Sequence, residues 1–294
     1  ARGCQLTALD PAAPRAADPA RSTAEGPGLH GAAAGETANI TIATYDEQGI
    51  AMTSGGVAYT ARLREWSPGG ALGDFNVDTI GVEDLGNGRY LVQYIALATG
   101  LYELTVEGGG VPPQGAWPRN VTVIPGPTDV LSSSASVAAP APGTALPAGG
   151  DVEVVVQARD GLGNPQQYGP RHPGDDFALL AVSSGIVPSV SVPLALTQTS
   201  EEAARGQFAG RAPLGTPGQY AVMLSLRQQA VGAPLLVVVD PGPVSAAAST
   251  AAGPGLLGLT SGAPGEVLVF PADARGHPVR DPALACRAVT VGPG

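Results

Sequence analysis

Residues Asp84 to Val106 read DLGNGRYLVQYIALATGLYELTV. Tyr90, Val92 and Tyr94 fall on one side of an extended strand and Leu91 and Gln93 on the other, because side chains alternate along a strand with period two. Gly86, Asn87 and Gly88 stand ahead of it and supply the positive-φ positions of a tight turn. After Thr99-Gly100 the alternation resumes at Tyr102, Leu104 and Val106. The stretch predicts two antiparallel strands joined by a short connection. Its six large residues should share one core with Ile40 and Ile42.

The pattern returns at a common offset. Gly206-Gln207-Phe208 stands where Gly88-Arg89-Tyr90 stood, and Pro217-Gly218-Gln219-Tyr220 where Thr99-Gly100-Leu101-Tyr102 stood. Val222, Leu224 and Leu226 then alternate. Two such passages at one spacing indicate a duplicated module. The punctuation repeats as well. Ile124-Pro125-Gly126-Pro127 is matched by Asp240-Pro241-Gly242-Pro243, and Gly26-Pro27-Gly28-Leu29 by Gly253-Pro254-Gly255-Leu256. Asp46, Asp160 and Asp273 each open a D-x-x-G turn, in which the carboxylate caps its own loop and the glycine takes the unusual backbone angle. The expected division is 1–25 (a strand at Cys4–Ala8 and a Pro/Ala linker), 26–126 (first module), 127–242 (second, divergent module) and 243–294 (first half of a third). Ser67–Phe75 reads as a loop and Ser132–Gly150 as a polar, Pro-rich lead.

Across 294 residues the chain has Gly 42 and Pro 29, a composition near that of disordered segments, yet 44% of its residues are hydrophobic. Many short strands separated by Gly/Pro turns reconcile the two. The net charge is −10, lysine is absent and the arginines do not cluster, which excludes a nucleic-acid surface. No apolar run reaches membrane-spanning length, and no signal peptide is visible. Ala1 is not a methionine, so a processed or excised start is expected.

The residues GPGL before the first strand, D-x-x-G after it, DLGNGRYLVQY, TGLYELTV and GGGVPPQGAWPRNVTV together resemble the filamin-type immunoglobulin-like repeat. The resemblance runs from Gly26 to Val123. It is looser over Ser132 to Val239, where Phe208 replaces the tyrosine and an acidic turn before Gly206 is missing, and from Gly253 it covers half a repeat. It implies an all-β chain of tandem antiparallel β-sandwiches joined by short Pro/Gly linkers, in a mechanical or scaffolding role without catalysis. Such repeats also recruit ligands by adding a strand beside their third and fourth strands. Here that edge would be Val57, Tyr59, Ala61 and Leu63, with Val77–Val82.

Residues suited to catalysis are sparse. His30, His172 and His277 share no ligand spacing with Cys or with each other, and no serine sits in a nucleophile elbow. No cofactor or metal site is expected. Asp175-Asp176 reads as a solvated loop before it reads as a calcium site. Trp66 and Trp117 read as seals at loop ends before sugar platforms. Asn39-Ile40-Thr41 and Asn120-Val121-Thr122 are sequons whose asparagines should face water, making Asn39 and Asn120 candidate N-glycan carriers. Cys4 and Cys286 lie in different modules and cannot pair within one sandwich, leaving free thiols or an intermolecular disulfide.

The expected protein is a non-enzymatic spacer in an extracellular fibre or cell-surface adhesin, with partners that are other proteins or further copies of itself, head to tail. The alternative is a cytoplasmic scaffold binding peptides at its sheet edges. For head-to-tail assembly, the amino-terminal strand of one protomer would complete the third module of the next, against the plainer expectation of a slice from a longer repeat array.

Overall fold

The computed structural model describes residues 15–67, 69–74, 76–141, 143–168, 174–184, 189–258 and 265–280. They form two compact units: Ala1–Thr128 with Arg159–Gln167, and Asp129–Ala158 with Tyr168–Gly294.

The first unit contains β1 (Ala17–Glu25), β2 (Gly31–Ala33), β3 (Ala38–Asp46), β4 (Tyr59–Trp66), β5 (Leu72–Gly73), β6 (Val77–Asp84), β7 (Arg89–Ala96), β8 (Gly100–Gly108) and β9 (Arg119–Ile124). They make two facing sheets, ordered β1-β3-β7-β6 and β2-β9-β8-β4-β5. Ile40, Ile42, Tyr90, Val92, Tyr94, Tyr102, Leu104 and Val106 are all buried in one cluster, as the alternation requires. The tight turn lies between β6 and β7, and Gly88 there has φ +77°; a Cβ on it would meet the Met52 carbonyl oxygen at 2.0 Å.

Three expectations need correcting here. β7 and β8 do not pair as a hairpin. They lie in opposite sheets, each turning its large residues toward the other, and Tyr102 Oη donates 2.9 Å to the Ala98 carbonyl across the corner between them. Residues 17–25 are not linker but strand β1, paired with β3. Their buried member is Ser22, so the segment carries no apolar period. Ser67–Phe75 is not wholly loop, since β5 pairs there with Glu65 and Trp66.

The second unit contains β10 (Ser134–Ala139), β11 (Leu146–Pro147), β12 (Asp151–Gln157), β13 (Phe177–Ser184), β14 (Ser191–Thr197), helix α1 (Ser200–Ala204), β15 (Gln207–Pro213), β16 (Gly218–Leu226) and β17 (Gln229–Asp240). Here β14 pairs with both β13 and β15, joining the strands into one sheet ordered β10-β12-β15-β14-β13-β16-β17-β11. The core holds Val152, Val154, Val156, Phe208, Tyr220, Val222, Leu224 and Leu226. Tyr220 Oη donates 3.0 Å to the Thr216 carbonyl, repeating the Tyr102 corner. Ser132–Gly150 is more than a lead, because it supplies β10 and β11. Where the acidic turn is missing, α1 stands instead. Its Thr199/Glu202 capping box is a sequence signal that strand alternation passes over. Strands β18 (Thr250–Ala252) and β19 (Leu268–Phe270) pair with each other as a separate two-stranded sheet. The chain is thus all-β apart from short helical turns, as expected.

Candidate binding surfaces

The D-x-x-G turns are built by their carboxylates. Asp46 Oδ1 accepts from the amides of Gln48 and Ile50, Asp160 Oδ1 from Leu162 and Asn164, and Asp273 Oδ1 from Arg275 and His277, all within 3.0 Å. The second oxygen reaches further. Asp160 Oδ2 accepts from the Gly126 amide at 3.0 Å, and Asp273 Oδ2 from the Gly242 amide at 2.9 Å. Each Pro-Gly-Pro linker is therefore bonded to the turn that follows it. Asp46 Oδ2 makes no hydrogen bond among the described residues, and Arg15 Nη1 stands 3.7 Å away. Burial alone would raise the Asp273 carboxyl. The amides of His277, Gly242 and Arg275 and the His277 ring outweigh it and hold the group well below the usual carboxylate range.

The turn Arg159–Gln167 belongs to the first unit through specific contacts. Asn164 Nδ2 donates 2.9 Å to the Leu97 carbonyl, the Thr99 amide donates 3.2 Å to Asn164 Oδ1, and Gln166 Nε2 donates 2.7 Å to the Gly126 carbonyl. Leu162 rests on Gly35, where φ is +79° and a Cβ would lie 3.0 Å from Leu162 Cδ1. In the second unit, Arg275 covers Gly149 in the same way. Sequence reasoning found these turns but not their second role, which depends on residues far along the chain.

The expected strand-addition edge is open over part of its length. Among the described residues, β4 pairs with β8 along one side and on the other with β5 only at Glu65 and Trp66. Tyr59 and Leu63 point into the core, and Ala61 is half-buried, so this edge offers mainly backbone. Val57 lies outside the strand, and its amide donates 2.8 Å to Tyr90 Oη. In the second unit β14 occupies the equivalent edge of β13 over Leu179–Val182.

Asn39 and Asn120 are exposed on β3 and β9, and Gln93 Nε2 donates 2.8 Å to Asn39 Oδ1. Trp117 is partly buried against the first core with the Arg119 guanidinium 5.4 Å from its ring centre, as a loop-end seal should be; Trp66 is half-exposed at the end of β4. Asp175 is not solvated, contrary to expectation. Its side chain is buried, accepting from Tyr168 Oη and from Arg227 Nη2 at 3.2 Å. His30 is exposed and His277 contacts Asp273. Cys4, Cys286 and His172, with the predicted strand at Cys4–Ala8, lie outside the described residues. Among the described residues no group of three or more His, Cys, Asp or Glu side chains could hold a metal, and no helix is long and apolar enough to cross a membrane.

Residues 16–116 match the family model described as the Filamin/ABP280 repeat. Among solved structures, the chain is similar to the Escherichia coli adhesin FdeC, with 22% identity and a TM-score of 0.50 over 76% of this chain and 66% of that one. It is similar to Yersinia pseudotuberculosis InvD, with 17% identity and a TM-score of 0.50 over 89% and 73%. It is also similar to invasin, a bacterial integrin-binding protein, with 13% identity and a TM-score of 0.51 over 81% and 42%. These three likenesses are of fold.

Proposed function

Since residues 16–116 are a filamin-type repeat, we propose that the chain is a non-enzymatic structural protein of the cell surface, with tandem sandwiches serving as spacers in an adhesin or fibre. The linker tie carries this proposal. The Pro-Gly-Pro segment has its central amide bonded to the next D-x-x-G carboxylate, at Gly126 and again at Gly242, each bond within one unit. The same bonded punctuation made twice along the chain suits a tandem array of modules. The fold likeness to an adhesin and to an integrin-binding protein supports the surface location and partners that are proteins. In this proposal Asn39 and Asn120 are free to carry glycans, and Cys4 and Cys286 bridge neighbouring copies head to tail. The test is antibody labelling of intact and lysed cells of the source organism. Equal labelling before and after lysis is expected, and labelling only after lysis overturns the proposal.

The free edge of β4 favours a second reading, a scaffold that takes up an extended peptide beside Tyr59–Arg64. Substituting proline at Ala61 should abolish such binding and leave peptide-independent properties alone, because the strand stays paired to β8 on its other side.

A further inference from the structure

Strand β9 begins with a polar corner that its sister strand lacks. By register, Arg119 stands opposite Leu104 on β8, as Leu235 stands opposite Val222 on β16. Counted from these two, Trp117-Pro118-Arg119-Asn120 in the first unit corresponds to Ala233-Pro234-Leu235-Leu236 in the second. A sandwich of this kind therefore forms without the tryptophan, the arginine or the asparagine, and folding alone does not call for them.

The arginine is held but not neutralised. Its guanidinium lies 5.4 Å from the centre of the Trp117 ring. On another side is Gly115, with φ +112°, where a Cβ would come within 3.0 Å of Arg119 Nη2. Arg119 Nε and Trp117 Nε1 are both buried and find no hydrogen-bond acceptor among the described residues. No carboxylate pairs with Arg119 among those residues either, although acidic residues outnumber basic ones 25 to 15. Arg62, Arg64, Arg211 and Arg227 each have one.

Beside this arginine is a pocket of about 310 Å³ lined by Leu29, His30, Ala116, Pro118, Arg119 and Asn120, with no acidic residue among them. A water in the liquid takes up about 30 Å³, so the pocket has room for an acidic side chain with part of its backbone. Strand backbone is on offer as well. β2 pairs with β9 from Thr122 onward, and the His30 amide donates instead to the Pro27 carbonyl at 2.9 Å. On the side away from β8, the Asn120 backbone has no strand partner among the described residues. Unpaired strand backbone next to an unpaired guanidinium suits a peptide better than a sugar, since an acidic peptide satisfies both.

We propose that the pocket at the start of β9 binds an acidic side chain of a partner protein. The carboxylate of an aspartate or glutamate pairs with the Arg119 guanidinium, and the backbone around it lies beside Asn120. A planar guanidinium fixed in advance by Trp117 and Gly115 gives up little freedom when it takes a carboxylate. The site goes beyond the spacer role and is separate from the β4 edge, since β8 stands between β9 and β4 in the sheet. A glycan on Asn120 would stand at the pocket, so the form that binds is the one with that asparagine bare.

The probe is the acetylated and amidated peptide Ala-Glu-Ala, titrated into the full chain made without glycans. The Trp117 indole and Arg119 side-chain N–H signals are followed by NMR. Saturable shifts at both, and at the Asn120 amide, are expected, with binding that weakens as salt rises. The peptide Ala-Gln-Ala should bind at least about tenfold more weakly, because the charge-assisted contact is lost. Arg119→Leu, which copies the second unit, should bind the two peptides equally poorly. Arg119→Gln keeps a polar side chain and serves as a second variant with the same expected loss. No saturable shift, shifts centred elsewhere, equal binding of the two peptides by the parent chain, or unchanged binding by either variant overturns the proposal. So does tighter binding of glucuronate than of the glutamate peptide, because the ligand would then be an acidic sugar.

Discussion

At the scale of single residues, the three turn aspartates show what a local pattern reveals and what it hides. D-x-x-G announces the self-capping carboxylate, and Oδ1 of Asp46, Asp160 and Asp273 does cap its own turn. The partner of Oδ2 is a linker glycine many residues earlier, and no spacing rule points to it. Asp160→Ala should strand the amides of Leu162, Asn164 and Gly126, costing about 3 kcal/mol in denaturant unfolding of the first unit. At Asp273 the depressed ionisation sets the sign of an acid effect. The turn's contribution is full above the unfolded value of about 4 and is lost only as pH falls through the lower folded value. Hydrogen exchange at the Arg275 and His277 amides should therefore be as well protected at about pH 4 as its intrinsic rate allows. Tyr94 and Tyr102 set the opposite limit. Burial pushes both phenols up to about 12, helped at Tyr102 by the Glu65 charge. A folded value above the unfolded one of about 10 means stability present below that pH and lost as pH rises through the folded value. Ultraviolet titration should show these two ionising only near the alkaline end, together with unfolding.

At the scale of elements, alternation identified the buried face of each strong strand but not the sheet it belongs to. Tyr90, Val92 and Tyr94 look the same in sequence whether β7 pairs with β8 or faces it across a core. The tyrosine corners decide, because Tyr102 and Tyr220 each fasten the start of a strand to the residue four positions back. Tyr102→Phe and Tyr220→Phe should each cost about 1 kcal/mol, read as a lower denaturant midpoint with unchanged slope. The strands that escaped sequence reading are those whose side chains carry little hydrophobic signal. β1 buries Ser22 and is otherwise Ala, Pro, Asp, Arg, Thr and Glu, while β10 is Ser, Ala and Val. They are strands because β3 and β12 offer them partners, a tertiary cause that propensity does not contain.

At the scale of the whole molecule, the duplicated punctuation made the tandem sandwiches legible, since Pro-Gly-Pro and D-x-x-G recur at nearly one period. The compact units are nevertheless divided differently from the expected modules. The first includes the turn Arg159–Gln167, and the second takes in β18, β19 and the turn at Asp273 as well as β10–β17. A fragment ending at Thr128 should therefore melt lower than the first unit of the full chain, by about 5 °C or more, because Leu97, Thr99 and Gly126 lose Asn164, Gln166 and Asp160. An unchanged midpoint in calorimetry would show that the turn contributes nothing to the unit it contacts. The same offset constrains how such a gene can be shuffled. A recombination that excises or inserts a whole period at Pro-Gly-Pro moves the Leu162 or Arg275 side chain onto a foreign floor, where a residue in the left-handed conformation, as Gly35 and Gly149 are, lies directly beneath it. Repeats should therefore exchange at least cost between modules that keep that glycine.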